Sequence, residues 1–228
     1  MAETIEFTAG FNRKLNLPSE NSELTTLFLA AGTHQFLLPG YEVKEGYQFI
    51  KSGKKQQYRL VTTGDLPETV YLVELCFRND IVAGQTSCTQ IKVWRTTNDK
   101  HQSAVADLPR HFFRWLPDTY HIVVTDEEQT GDGRRFWEVM ISWALAAGFY
   151  VYDSDGGEPE RPLFAIQDIE SFFEYWSDFC WGDDPDTHTH RLIVSSKKRN
   201  KITIHTIPCP DQFPAEKIIR NFNPNTYP

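Results

Sequence analysis

The apolar positions of this chain switch between a two-residue and a 3.6-residue period, and both are clearest between His121 and Asp153. Ile122-Val123-Val124 has the length and β-branched content of a buried strand. The turn Thr130-Gly131-Asp132-Gly133 follows, then a helix-period segment from Arg134 to Ala147. Its polar positions Arg135, Glu138 and Ser142 share one narrow face, which predicts a helix buried on more than one side. Gly148 stands where a left-handed C′ residue belongs, and Phe149–Tyr152 is a second apolar run. Strand, helix and strand in so short a span predict a β-α-β crossover with the two strands parallel. The turn would set free N–H groups at a helix N-terminus, a place suited to a pyrophosphate.

The flanking segments are organised around that unit. Residues 1–20 read as a loosely structured start, Glu23–Ala31 as a brief helix, and Phe36–Leu38 with Tyr41–Val43 as a hairpin about Pro39-Gly40. Tyr58–Thr62 and Val70–Phe77 read as strands, with Arg78–Gly84 turn-like. Thr86–Arg95 reads as a third strand, with Cys88, Gln90, Lys92 and Trp94 on one side. Asn98–Ala106 reads as polar loop and Leu108–Leu116 as a helix ended by Pro117. Asp168 is placed to cap a helix reaching Trp181, with Ile169, Phe172, Phe173 and Trp176 as its apolar stripe. Arg191–Ser195 and Lys201–Thr206 read as a closing hairpin.

The fold class expected is therefore α/β (α+β). It is a single domain whose mixed, mostly antiparallel sheet contains one parallel β-α-β unit. Residues 1–57 would form an extension packed on the core. Residues 58–207 would be the core, with a helical insert at 98–119, and 208–228 a Pro-rich tail.

Composition narrows the functional classes. A 40% hydrophobic content is enough for a substantial core in 228 residues. The net charge of −8 argues against general binding to a nucleic-acid backbone, leaving Lys51–Lys55 and Lys197–Lys201 as the only basic clusters. Cys76, Cys88, Cys180 and Cys209 lack metal or redox spacing and read as reduced thiols, which points to a cytoplasmic protein. No apolar run is long enough for a membrane span, and the N-terminus lacks a signal pattern. His188 and His190 have the alternate spacing of one strand face and, with His205 and Asp184 or Asp186, could bind a metal. Two histidines before a strand are more often ordinary, however, and no metal is expected.

Gly131-Asp132-Gly133-Arg134 is similar to the end of the pyrophosphate-loop pattern Arg/Gln-x-x-Gly-x-Gly/Ala of the GNAT acyltransferase superfamily. The order of elements from Tyr58 to Thr206 resembles that family's mixed sheet, whose β-α-β unit cradles an acyl-CoA. The Arg/Gln position falls on Glu128, with Gln129 adjacent, and carboxylates at Asp126, Glu127, Glu128 and Asp132 surround the loop. The resemblance implies an acetyl-CoA or other acyl-CoA donor, or an acyl carrier, and transfer to an amine of a protein, small molecule or nucleobase. It implies that Val123, Val124, Gln129, Thr130, Gly131, Asp132, Gly133, Arg134 and Arg135 hold the donor. Tyr175 would protonate the leaving thiolate, and Glu74, a charged residue in an apolar strand, would act as general base.

A second class of function stays open. The acid-rich stretches Asp126–Asp132, Asp153–Glu160 and Asp183–Asp186 all adjoin central elements, and together they would suit a non-catalytic protein that engages a basic protein partner. Phage and mobile-element inhibitors of host factors offer the analogy. A transferase that touches nucleic acid through the two basic clusters is disfavoured by the acidic balance.

Overall fold

A computed structural model describes residues 13–125, 131–158, 161–181 and 191–197. In chain order these form α1 (Pro18–Ala30), β1 (Thr33–Gln35), β2 (Tyr47–Ser52), β3 (Gln57–Thr62), β4 (Thr69–Val82) and β5 (Gln85–Arg95). A 3-10 turn at Asp99–His101 leads into α2 (Gln102–Val105), followed by α3 (Leu108–Tyr120), β6 (Ile122–Val124), α4 (Gly131–Ala146), β7 (Tyr150–Asp155) and β8 (Leu163–Ile166). A composite helix, here α5, runs through Ile169–Ser171, a π-helical stretch Phe172–Trp176 and Ser177–Trp181. The last described strand is β9 (Arg191–Ser196).

The nine described strands form one sheet in the order β1-β2-β3-β4-β5-β6-β9-β7-β8. Every neighbouring pair is antiparallel except β5 and β6. The mixed sheet with one parallel pair agrees with the expected class, but the pair is one unit earlier in the chain than expected. β6 and β7 do run in the same direction across α4, yet β9 lies between them and pairs with both. Residues 33–52, expected in an extension, supply β1 and β2 to the same sheet.

One face carries α3, α4 and α5. Phe112, Phe113 and Leu116 of α3, Trp137, Met140, Ile141 and Ala144 of α4, and Phe172, Trp176 and Cys180 of α5 share a core with Tyr58, Tyr71, Val73, Leu75, Cys88, Val123, Val151 and Ile193. Phe113 meets Phe136, Trp137 and Trp143 edge-on at ring separations of 6.1, 5.5 and 5.9 Å, so α4 is covered by α3 as well as by the sheet. The other face is covered by α1 near Leu72 and Trp94. Further along, Ile81 and Val82 at the end of β4 join Val124, Tyr152, Leu163, Leu192 and Val194.

α1 is seated by polar side chains. Asn21 Nδ2 donates to the Leu15 and Thr69 carbonyls at 2.8 and 2.9 Å, while its Oδ1 accepts from Thr69 N at 2.8 Å and from Thr25 Oγ1 at 3.1 Å. All the bonding capacity of one buried amide is used, so its burial costs little. The helix starts earlier than its apolar pattern indicates because Pro18 takes the first position, where a missing N–H is harmless.

Local chemistry explains several further differences. Gly40 turns the chain at φ +75°, but its flanks are not strands. Asn98–Ala106 is largely helical rather than loop. Pro117 does not stop α3, which closes one turn later with His121 N bonded to the Pro117 carbonyl and His121 itself at φ +65°. At the end of α4, Gly148 takes φ +76°, its N–H reaches the Leu145 carbonyl and Phe149 N reaches Ala144 O, the paired closure the sequence indicates. In α5 Ser177 N bonds back to Phe172 O, one residue further than an α-turn. That shift leaves Phe172, Trp176 and Cys180 buried and turns Phe173 outward. Lys201–Thr206 and the tail lie outside the described residues.

Candidate functional site

The most chemically suggestive feature is a fork between the two parallel strands. β5 and β6 are paired at only two positions, Cys88 with Val123 and Thr89 with Val124. Past them the strands follow different neighbours. Thr125 turns to β9, its N–H bonding the Ile193 carbonyl at 3.0 Å and its Oγ1 accepting from Ile193 N at 3.0 Å. β5 stays with β4 as far as the Tyr71–Arg95 pair. A β-bulge falls just at the parting, because Leu75 faces Gln90 and Glu74 faces Lys92, leaving Ile91 extra.

The bulge resets which side chains face which way. Cys88 and Gln90 share the helix-covered face, whereas Lys92 and Trp94 share the α1 face, so the single-sided alternation expected for this strand is broken midway. From Gln90 to Arg95 alternate residues turn N–H and C=O away from β4, and among the described residues no strand lies opposite them. Val93 is exposed there although its neighbour Val73 is fully buried. Arg95 lies at the open end, its Nη2 bonded to Gln102 Oε1 at 2.6 Å.

Three sets of polar groups surround the fork. Gln90 is only 5% exposed, yet among the described residues neither atom of its amide has a hydrogen-bond partner, and the buried Thr89 hydroxyl on the opposite face has none either. Such orphans are costly and rare. On the α1 face, Gln57 Nε2 donates to Glu74 Oε2 at 2.7 Å and Lys92 Nζ lies 3.6 Å from the same oxygen. Arg59 extends this network through Gln57 Oε1 and Thr69 Oγ1, under the Phe28 ring at 4.0 Å, and burial lowers its pKa to about 10. At the foot of the fork the Tyr120 hydroxyl faces those of Tyr58 and the Cys88 thiol, and burial pushes the thiol up to about 12.

The residues expected to hold a donor are placed differently. Val123 and Val124 are buried in β6 with strands on both edges, and β9 occupies the gap toward β7 in which a donor would have paired. Gln129 and Thr130 lie outside the described residues. Gly131, Asp132 and Gly133 form the first turn of α4 rather than a loop before it. Arg134 donates to Glu138 Oε1 at 2.9 Å and to the Trp181 carbonyl at 3.5 Å, and so closes the end of α5. Arg135 is exposed. The unpaired β5 edge, by contrast, offers main-chain groups to a slender polar arm.

Tyr175 and Glu74 are not brought together. Tyr175 packs half-buried on the helix-covered side, where its neighbour Glu174 raises its pKa. Glu74 points to the α1 face. The sequence reading also passed over Gln90, Tyr120 and Asp153. Asp153 is fully buried in β7 and accepts a hydrogen bond from Cys180 Sγ at 3.4 Å. A carboxylate directly after the apolar run Phe149–Tyr152 is the signal that could have extended that strand.

β6 and β7 end, and β9 begins, at one end of the sheet, while most of the acid-rich stretches Asp126–Asp132 and Asp183–Asp186 lies outside the described residues. Among the described residues no group of three or more metal-type ligands stands together, and no helix is long and apolar enough to cross a membrane. No protein-family model matches the sequence, and no curated protein matches it.

Proposed function

We propose that this chain is an N-acyltransferase of GNAT-like design, dependent on acyl-CoA or an acyl carrier, with its donor held in the fork between β5 and β6. The observation that carries this reading is the parting of the only parallel pair among the described strands immediately after two rungs, with a bulge on one arm. Bound acyl-CoA would supply a thioester carbon activated for attack by an amine. The open edge of β5 would align the donor's arm and offer N–H groups to the oxyanion.

Glu74 is the carboxylate suited to act as base. It faces Lys92 just past the parting point, and both of its contacts fall on Oε2, so Oε1 meets no donor among the described residues. An acceptor amine approaching from the α1 face would give its proton to that oxygen. Amine attack on a thioester needs no covalent intermediate, so positioning and proton removal are the main demands on the protein.

The test is calorimetric titration with acetyl-CoA and with free CoA. Saturable binding is expected, lost in Val93→Glu and retained in Gly131→Glu. No binding by well-folded protein would remove the reading. The acid-rich sequence that adjoins β6, β7 and β9 favours a second reading, a non-catalytic protein that engages a basic partner. It would be supported by salt-sensitive capture of a basic polypeptide, abolished by Glu127→Lys with Glu128→Lys and unaffected by Glu42→Lys with Glu45→Lys.

A further inference from the structure

The Gln90 amide is the most informative unsatisfied group near the fork. It belongs to the first residue of β5 past the last rung with β6, it is followed at once by the bulge, and it faces the helix-covered side with Cys88 and Leu75. At 5% exposure neither its Nε2 nor its Oε1 is bonded among the described residues. A buried carboxamide offers a donor and an acceptor side by side, and its natural complement is another amide. An apolar residue of equal length would fill the same space without that penalty.

We infer that Gln90 grips an amide group of the molecule that enters the fork. The inference rests on the reading of the fork as a binding site, and it adds the chemistry that the site selects. Two sources carry that chemistry, the amide-bearing pantetheine arm of an acyl donor and the backbone amide of a peptide acceptor. A ligand lacking an amide at this depth leaves the orphan uncompensated and binds poorly, which is how the site discriminates.

The experiment compares wild type with Gln90→Met and Thr89→Val, using thermal melting and titration with CoA, pantetheine and a lysine capped as acetyl and methylamide. Both variants remove an orphan polar group, so each is expected to raise Tm by about 3 °C. Only Gln90→Met is expected to weaken binding, by about tenfold, toward whichever probe carries the gripped amide. Thr89→Val faces the other way and keeps wild-type affinity. Loss toward pantetheine identifies the donor arm, and loss toward the capped lysine alone identifies the acceptor.

Equal binding by wild type and Gln90→Met overturns the inference while leaving the fork's function standing. A fall in Tm for Gln90→Met overturns it too, because the amide would then be serving the fold. Wild type that binds the capped lysine but no CoA species, with Gln90→Met losing that binding, supports the grip and removes the acyl-CoA reading. Binding of none of the probes removes both.

Discussion

Gln57 and Glu74 face each other across β3 and β4, and the amide of one donates to Oε2 of the other at 2.7 Å. Because Lys92 approaches the same oxygen, the carboxylate is anchored by one atom and available through the other. Glu74→Gln preserves shape and removes the charge. Acyl transfer should fall by about 10²- to 10³-fold with little change in donor affinity. Tyr175→Phe should leave the rate unchanged, since that residue lies on the other side of the sheet. Steady-state rates with separately measured donor affinity check both.

Asn21 is the pin of α1. Asn21→Ala strips partners from the Leu15 and Thr69 carbonyls and from Thr25, although Thr69 N keeps its 2.9 Å bond to Thr25 Oγ1. The expected cost is about 2–4 kcal/mol, visible as a lower urea midpoint at constant slope.

Thr125→Val tests the hinge of the fork on its β6 side. It keeps the shape but leaves the Ile193 N–H without the hydroxyl that accepts its bond. A loss of about 1–2 kcal/mol is expected in chemical denaturation. If the divergence of β6 depends on this pair, donor binding should weaken as well.

His101 makes stability depend on pH. Its ring is buried between Tyr47, at 2.8 Å from Nδ1, and Glu68, at 3.3 Å from Nε2, with Lys100 beside it. Burial first, and then Lys100, lower its pKa from 6.5 despite Glu68. The unfolded chain therefore takes up the proton more readily than the folded one. The contribution to stability is present above pH 6.5 and is lost as pH falls through the lower folded value. Denaturation series across that window should show the loss in wild type and a flatter profile in His101→Asn.

The sequence is a good guide wherever local chemistry decides. The pairing of β4 with β5, the extent of β6, the Asp168 cap and the turn at Gly148 all follow from short-range patterns, although β4 runs on to Val82 through residues that read as turn-like. The architecture of the sheet was less legible because it depends on strand order, which no local period encodes. Nothing near Val123 or Tyr152 signals that β9 will come between them. The bulge at Ile91 was hidden for a related reason, since one extra residue inverts a face without altering the composition of the strand. Glycines before a helix then drew the expected donor seat to Gly131–Arg134, a place the fold uses for the first turn of α4 and for closing α5.

The place of β9 also fixes an order of events during synthesis. β6 and β7 can form soon after they leave the ribosome, but each keeps an unpaired edge until residues 191–196 arrive to bridge them. Until then the nascent chain carries two partial sheets, β1 to β6 and β7 with β8, exposing Val124 and Tyr152 edges that invite pairing with other chains. β9 is thus a keystone: premature termination before residue 191 would leave two sheet fragments that β9 never joins, prone to aggregate.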